Sequence, residues 1–131
     1  MQRLDCNEYL PFLTPEQRRR LNALLSDVSG GARFYMPHEL INVGGIGRLE
    51  ALALMNTLES LCSAVNYLLV YHECPYEDSD NLPAVASFPL REGLPPWPWC
   101  CPSCGTEITA RNELELTYDS RLLLSDSVEL I

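Results

Sequence analysis

Lysine is absent from this chain of 131 residues. All nine basic residues are arginines, and a sequence without lysine cannot form the usual phosphate-binding P-loop, whose lysine reaches the phosphates. The glycine-rich stretch Gly44-Gly45-Ile46-Gly47 would otherwise suggest such a loop. We therefore interpret it as a flexible connector, or as a loop that packs closely on a neighbouring element.

Long apolar runs are also missing. The longest apolar patches, such as residues 67–71, are far shorter than the roughly 20 residues that a helix needs to cross a bilayer. The first residues, MQRLDCNEYLPF, lack the basic start and apolar stretch of a secretory signal peptide. We therefore expect a cytoplasmic protein without membrane association. In that reducing compartment, clustered cysteines more often bind metal or react than form structural disulfides.

Positive charge is scarce in the second part of the sequence. Residues 1–50 carry six arginines and six acidic residues, whereas residues 51–131 carry three arginines and twelve acidic residues, so the net charge of −9 belongs to residues 51–131. An acidic surface repels phosphate backbones, and we expect no binding to nucleic acid. The charge keeps a small domain soluble, and it would also complement a basic groove on a protein partner.

Two segments have the spacing of helices. Thr14-Pro15-Glu16-Gln17 has the form of a capping box with proline in the first turn, and leucines follow at helical spacing. From Leu49 to about His72, leucines recur at intervals of three and four, which predicts one long helix with a broad buried face. Cys62 lies within that face and is predicted to be a small buried hydrophobic residue.

Proline and strand-like patterns replace the helical pattern in the last third of the chain. Six prolines between residues 83 and 102 favour extended and turn-rich structure. Leu116 and Tyr118 alternate with polar residues, which predicts a strand, and Asp119-Ser120 is predicted to turn the chain. The sequence therefore predicts an α+β protein. Its helical part would cover residues 1–82, and a small β module packed on that part would cover residues 83–131.

Three of the six cysteines fall within the stretch WPWCCPSCG, residues 97–105. In Cys101-Pro102-Ser103-Cys104-Gly105, two sulfur atoms have the spacing that lets both turn onto one metal ion, and Gly105 permits a left-handed backbone. This CPxCG segment resembles the knuckles of zinc ribbons and treble clefs. The resemblance covers about ten residues and implies zinc binding, with no particular activity.

A structural zinc ion normally has four ligands, so a second pair of ligands is needed. His72 and Cys74 are the nearest candidates, and the 26 residues between Cys74 and Cys101 let the chain loop back. We therefore predict a structural Zn²⁺ that staples the β module to the end of the long helix. The predicted metal ligands are His72, Cys74, Cys101 and Cys104. Cys100 or Cys6 could replace His72, with Cys100 the better substitute.

Two other chemistries use the same residue types. Redox proteins of the thioredoxin type place CxxC at the N-terminus of a helix, whereas strand-like residues follow Gly105 here. Zinc-dependent nucleobase deaminases combine H-x-E with P-C-x-x-C. The alternative function is therefore a zinc hydrolase or deaminase that uses the set His72, Glu73, Cys101 and Cys104. Cys74 would fill the open position that such a zinc ion needs, so we favour a structural metal and predict no catalytic residue.

The function predicted from the sequence is that of a small cytoplasmic zinc-binding protein. It would act as an adaptor, regulator or inhibitor through contacts with a protein partner. Trp97 and Trp99 lie among prolines and would form a partner-binding patch if they were exposed. The simpler interpretation is that both indoles cover the core of the small β module.

Overall fold

The computed structural model describes residues 1–28, 31–74, 84–109, 111 and 115–131. The helices are α1 (Cys6–Tyr9), α2 (Pro15–Leu25), α3 (Pro37–Gly44) and α4 (Arg48–Leu61). The strands are β1 (Gln2–Leu4), β2 (Arg33–Tyr35), β3 (Ala64–His72), β4 (Ala86–Pro89), β5 (Trp99–Cys100), β6 (Glu107–Ile108), β7 (Leu116–Leu124) and β8 (Val128–Leu130). The predicted α+β class is therefore confirmed. Within these ranges, none of the helices has the length and apolar character that crossing a bilayer requires.

The start of α2 agrees with the sequence. The Thr14 hydroxyl accepts a hydrogen bond from the backbone N–H of Gln17 at 3.1 Å. The Gln17 side chain in turn accepts one from the backbone N–H of Thr14 at 3.0 Å. This reciprocal pair satisfies two N–H groups that the first turn of a helix leaves free. The buried face of the helix carries Leu21 and Leu25, which are both fully buried.

The prediction of one long helix from Leu49 to about His72 is wrong for the residues after Leu61. The α4 helix ends there, Cys62 has extended backbone (φ −126°, ψ 172°), and the chain continues as β3 from Ala64 to His72. This segment is rich in β-branched and aromatic residues, which fit a strand. The helical spacing of its leucines was misleading, because a short apolar run is compatible with the period of a helix and with that of a strand. Cys62 is half-buried against the core rather than fully buried.

The strands form three sheets. The largest has the strand order β2-β7-β3-β4, with β2 antiparallel to β7 and β3 antiparallel to β4. The first and last strands, β1 and β8, form a parallel pair in which Leu4 lies opposite Leu130. The short strands β5 and β6 form an antiparallel hairpin. This hairpin carries the CPxCG segment at its turn.

The turn predicted at Asp119-Ser120 is wrong, because both residues lie inside strand β7. The strand is continuous from Leu116 to Leu124. The Asp119 carboxylate accepts a hydrogen bond from the backbone N–H of Ser120 at 2.8 Å. Aspartate and serine are typical of turns because their side chains bond to nearby backbone groups. Here that bond forms inside a strand, so the residue types alone gave the wrong prediction.

The chain divides into two compact units. Unit 1 comprises Met1–Asn66 and Arg121–Ile131, and unit 2 comprises Tyr67–Ser120. The division predicted from the sequence, between residues 82 and 83, falls outside the described residues and stays a prediction. Unit 1 is thus built from two separate parts of the sequence.

The core of unit 1 packs its helices against its strands. Buried leucines come from α2, α3, α4 and β7, and Val128 and Leu130 of β8 are also buried. The Asn22 side chain connects α2 to β8, because its Nδ2 donates to the carbonyl of Leu130 at 2.9 Å and its Oδ1 accepts the Leu130 N–H at 2.6 Å. Both the donor and the acceptor of this half-buried amide are therefore satisfied.

The glycine-rich stretch, which begins at Gly44, the last residue of α3, packs closely on α2. A Cβ atom on Gly44 would lie 2.8 Å from Cδ2 of Leu21, a distance that real Cβ contacts do not show. Gly45 adopts a left-handed conformation (φ 66°, ψ 36°) that ends α3, and glycine adopts it at little cost. Of the two interpretations made from the sequence, the close-packed loop is the one the structure supports.

We expect Gly44→Ala to destabilise unit 1 by about 1–3 kcal/mol, because fully buried Leu21 has little room to move away from the new methyl group. Urea unfolding of the two proteins measures the difference. The double variant Leu21→Ala/Gly44→Ala should lose less stability than the sum of the single variants, because truncated Leu21 leaves space for the methyl group. Strictly additive losses would contradict this contact.

Candidate metal centre

The first two donor side chains lie at the end of strand β3 and just after it. His72 is its last residue and Cys74 follows two positions later, and both are buried, at 4% and 2% exposure. In extended chain, alternate residues face the same side. His72 and Cys74 can therefore point to one site, whereas Glu73 between them is exposed. A spacing of two residues therefore brings both side chains to one side of an extended chain, which it would not do on a helix.

The β5–β6 hairpin supplies the other two donors from its turn. The backbone N–H of Cys101 donates to the carbonyl of Thr106 at 2.9 Å, and the N–H of Gly105 donates to the carbonyl of Cys101 at 2.8 Å. Gly105 has a φ of 75°, the left-handed conformation that the CPxCG pattern predicts. These bonds close a tight turn, as expected of a knuckle at the tip of a hairpin. A strand follows the CxxC segment, and not the helix that a thioredoxin-type motif requires.

Four donor atoms converge at this place. One side-chain donor each from the four clustered residues lies within 4.8 Å of all the others. The Nδ1 atom of His72 is 3.6 Å from Sγ of Cys74 and 3.5 Å from Sγ of Cys104, and the Sγ atoms of Cys74 and Cys101 are 3.9 Å apart. The clustered residues are His72, Cys74, Cys101 and Cys104, the four singled out from the sequence.

The three individual distances match the edges of a tetrahedral metal site. With Zn–S bonds of about 2.3 Å and a Zn–N bond of about 2.0–2.1 Å, tetrahedral angles place two sulfur atoms about 3.8 Å apart and a sulfur and a nitrogen atom about 3.6 Å apart. The sulfur atoms are too distant for a disulfide, whose bond measures about 2.05 Å, and all these cysteines are free thiols. The cluster can therefore hold a metal ion.

The thiols differ in their readiness to ionise. The Thr106 hydroxyl lies 3.1 Å from Sγ of Cys104, and hydrogen bonds from this hydroxyl and from the Thr106 backbone lower the pKa of Cys104 to about 6. Burial, followed by the hydrogen bond with Cys104, raises the pKa of Cys74 to about 11. Cys104 is therefore the readier of the two to ionise, and a bound cation would favour the thiolate form of Cys74.

The other cysteines lie outside the cluster. Cys100 is exposed, Cys62 is half-buried, and Cys6 is buried in the core of unit 1. Neither of the two substitutes considered for His72 is thus among the converging donors. Glu73, which the alternative enzyme function requires, is exposed and is not among them either.

The tryptophans cover the core of unit 2. Val70, Ile108 and Leu116 are buried there, and half-buried Trp97 and Trp99 pack against them. The ring of Trp99 also meets the ring of Phe88 edge-on, with centroids 6.2 Å apart and planes at 72°. This packing supports the simpler interpretation, in which the indoles stabilise the small unit.

Sequence reasoning missed residues that touch the donors, among them Thr106 and Glu115. Thr106 contacts Cys104, and Oε2 of Glu115 lies 3.5 Å from Nε2 of His72. A hydroxyl residue directly after CPxCG could have suggested the first contact. Glu115 lies far along the chain from His72, and no local pattern marks it. No protein-family model, curated protein or solved structure matches this chain, so its geometry carries the functional argument.

We expect Thr106→Val to weaken Zn²⁺ binding by up to about tenfold, because valine keeps the shape of threonine but cannot donate to Cys104. Competition with a chromophoric chelator measures the affinity. Thr106→Ser keeps the hydroxyl and serves as the matched control, with near wild-type affinity expected. Equal affinities for the valine and serine variants would contradict a role for this hydrogen bond.

Proposed function

We propose that the protein binds one structural Zn²⁺ ion at His72, Cys74, Cys101 and Cys104, and acts through contacts with a protein partner. The observation that carries the metal proposal is that all four donor atoms lie within 4.8 Å of one another, with three of their separations, 3.5–3.9 Å, close to the edges of a tetrahedral site. Thiolate and imidazole ligands suit zinc and disfavour magnesium and calcium, which prefer oxygen. Three cysteines and one histidine form a usual ligand set of structural zinc.

The ligand set favours a structural role over a catalytic one. A catalytic zinc ion keeps one position for water or substrate, whereas four protein ligands complete the tetrahedron. His72, Cys74 and Cys101 are also buried, which restricts access of a substrate. Three thiolates outweigh the two positive charges of the ion, so the centre is a weak Lewis acid for activating water.

The small core of unit 2 favours an additional stabilising link, such as a structural metal ion. Among the described residues of this unit, one small cluster of buried side chains forms the apolar core, Val70, Ile108 and Leu116, with half-buried residues packed against it. Small units rarely bury enough apolar surface to fold on hydrophobic burial alone. A metal that joins the end of β3 to the β5–β6 turn would add its binding free energy to folding.

Charge supports the proposal of a protein partner. The excess of acidic residues in residues 51–131 complements a basic protein surface and repels nucleic acid. We propose an adaptor, regulator or inhibitor that works in the cytoplasm, away from membranes, where reducing conditions keep the cysteines available to the metal.

Purified protein is expected to contain one equivalent of Zn²⁺ by elemental analysis. Chelation should unfold unit 2 and remove the dispersed NMR signals of Val70, Ile108 and Leu116, because the metal contributes directly to folding. Signals from the unit 1 core, such as those of Leu25 and Leu54, should persist.

Two variants and a substitute metal sharpen this test. Cys101→Ser should lose the metal, whereas Cys100→Ser, at the adjacent exposed residue, should keep it. Cobalt substitution should give the intense visible spectrum of a tetrahedral, thiolate-rich site. A metal-free protein with unit 2 fully folded would refute the structural role, and a water-ligated cobalt spectrum would favour the hydrolase or deaminase instead.

A partner found by crosslinking in cells and reconstituted from purified components should bind less tightly as salt rises, because screening weakens charge complementarity. The double variant Glu73→Gln/Glu92→Gln removes two exposed charges of unit 2 and should slow association. Glu8→Gln, at an exposed residue of unit 1, is the control. If neither salt nor the two unit 2 substitutions changed the affinity or the association rate, these charges would have no part in partner recognition.

A further inference from the structure

His72 presents its two ring nitrogens to different groups. Its Nδ1 atom faces the sulfur atoms of Cys74 and Cys104 at 3.6 and 3.5 Å. Its Nε2 atom faces Oε2 of Glu115 at 3.5 Å. The imidazole therefore lies between the sulfur atoms of the candidate metal cluster and a carboxylate. Nδ1 is placed to bind a metal ion, and Nε2 is placed to donate a proton to the carboxylate.

We propose that Glu115 is a positioning residue for the zinc site: its carboxylate accepts the Nε2 proton of His72 and so directs the Nδ1 lone pair to the metal. The inference rests on the proposed function, because it concerns the same ion. A neutral imidazole carries one proton, and whichever nitrogen finds an acceptor keeps it. With the proton on Nε2, Nδ1 is left free to bind the ion.

Burial makes this contact consequential. The side chain of His72 is 1% exposed, so its Nε2 proton cannot turn to bulk water. A buried donor without an acceptor is unfavourable, and the Oε2 atom of Glu115, 3.5 Å from Nε2, is an acceptor that can take this proton. The Glu115 side chain is 54% exposed and so has room to shorten the contact when the ring is fixed by a metal.

The fold fixes the place of Glu115 as well. The next residue, Leu116, begins β7 and is buried in the core of unit 2. Packing of Leu116 therefore holds the backbone of Glu115 beside His72. A carboxylate on the outer nitrogen also makes the ligating nitrogen more basic, which strengthens its bond to the metal.

Zn²⁺ affinity of the full chain, measured by chelator competition, tests the role of Glu115. We expect Glu115→Ala to weaken binding about 10–100-fold, the usual effect of removing such a partner. Glu115→Gln should recover most of the loss, because its amide oxygen still accepts the Nε2 proton. The control Glu73→Ala removes the same charge from the exposed residue between His72 and Cys74 and should weaken binding less than about threefold.

A second measurement uses the zinc-loaded wild-type protein and does not depend on the variants. Two-bond ¹H–¹⁵N correlations should show His72 with the metal on Nδ1 and the proton on Nε2. Coordination through Nε2, or equal affinities for Glu115→Ala and Glu73→Ala, would overturn this inference while leaving the zinc site in place. Failure of the wild-type protein to bind Zn²⁺ would overturn the proposed function and the inference together.

Discussion

Four donor atoms from two distant parts of the chain converge in unit 2. Extended structure at the end of β3 places His72 and Cys74 on one side. A left-handed Gly105 closes the turn that carries Cys101 and Cys104. Neither pair has a reason to meet the other through apolar packing alone, because their polar and ionisable atoms are costly to bury without partners. A shared cation would remove that cost, and it would make metal binding and the folding of this unit a single event.

Much of the site was predictable because its information is local. The spacing of Cys101 and Cys104 and the glycine after them specify a knuckle within five residues, and the capping box at Thr14 specifies a helix start in the same way. The pairing of His72 with Cys74 was also anticipated, although the element that carries them was not. Residues Ala64–His72 satisfy both a helical and a strand-like reading, and only their pairing with other strands decides between the two.

The remaining features arise from contacts between residues far apart in sequence. The parallel pairing of β1 with β8 and the continuity of β7 through Asp119 depend on which faces become buried. The contact between Glu115 and His72 likewise follows from the position of Leu116 in the core. Local residue types do not encode such relations, and for Asp119 they indicated the opposite structure.

The split sequence of unit 1 has a consequence for how the protein is made. Its final part, Arg121–Ile131, emerges from the ribosome after every residue of unit 2. Until then β1 lacks its neighbour β8, and Asn22 lacks the backbone groups of Leu130 that it bonds. Unit 1 can therefore complete its fold only after the whole of unit 2 has been synthesised.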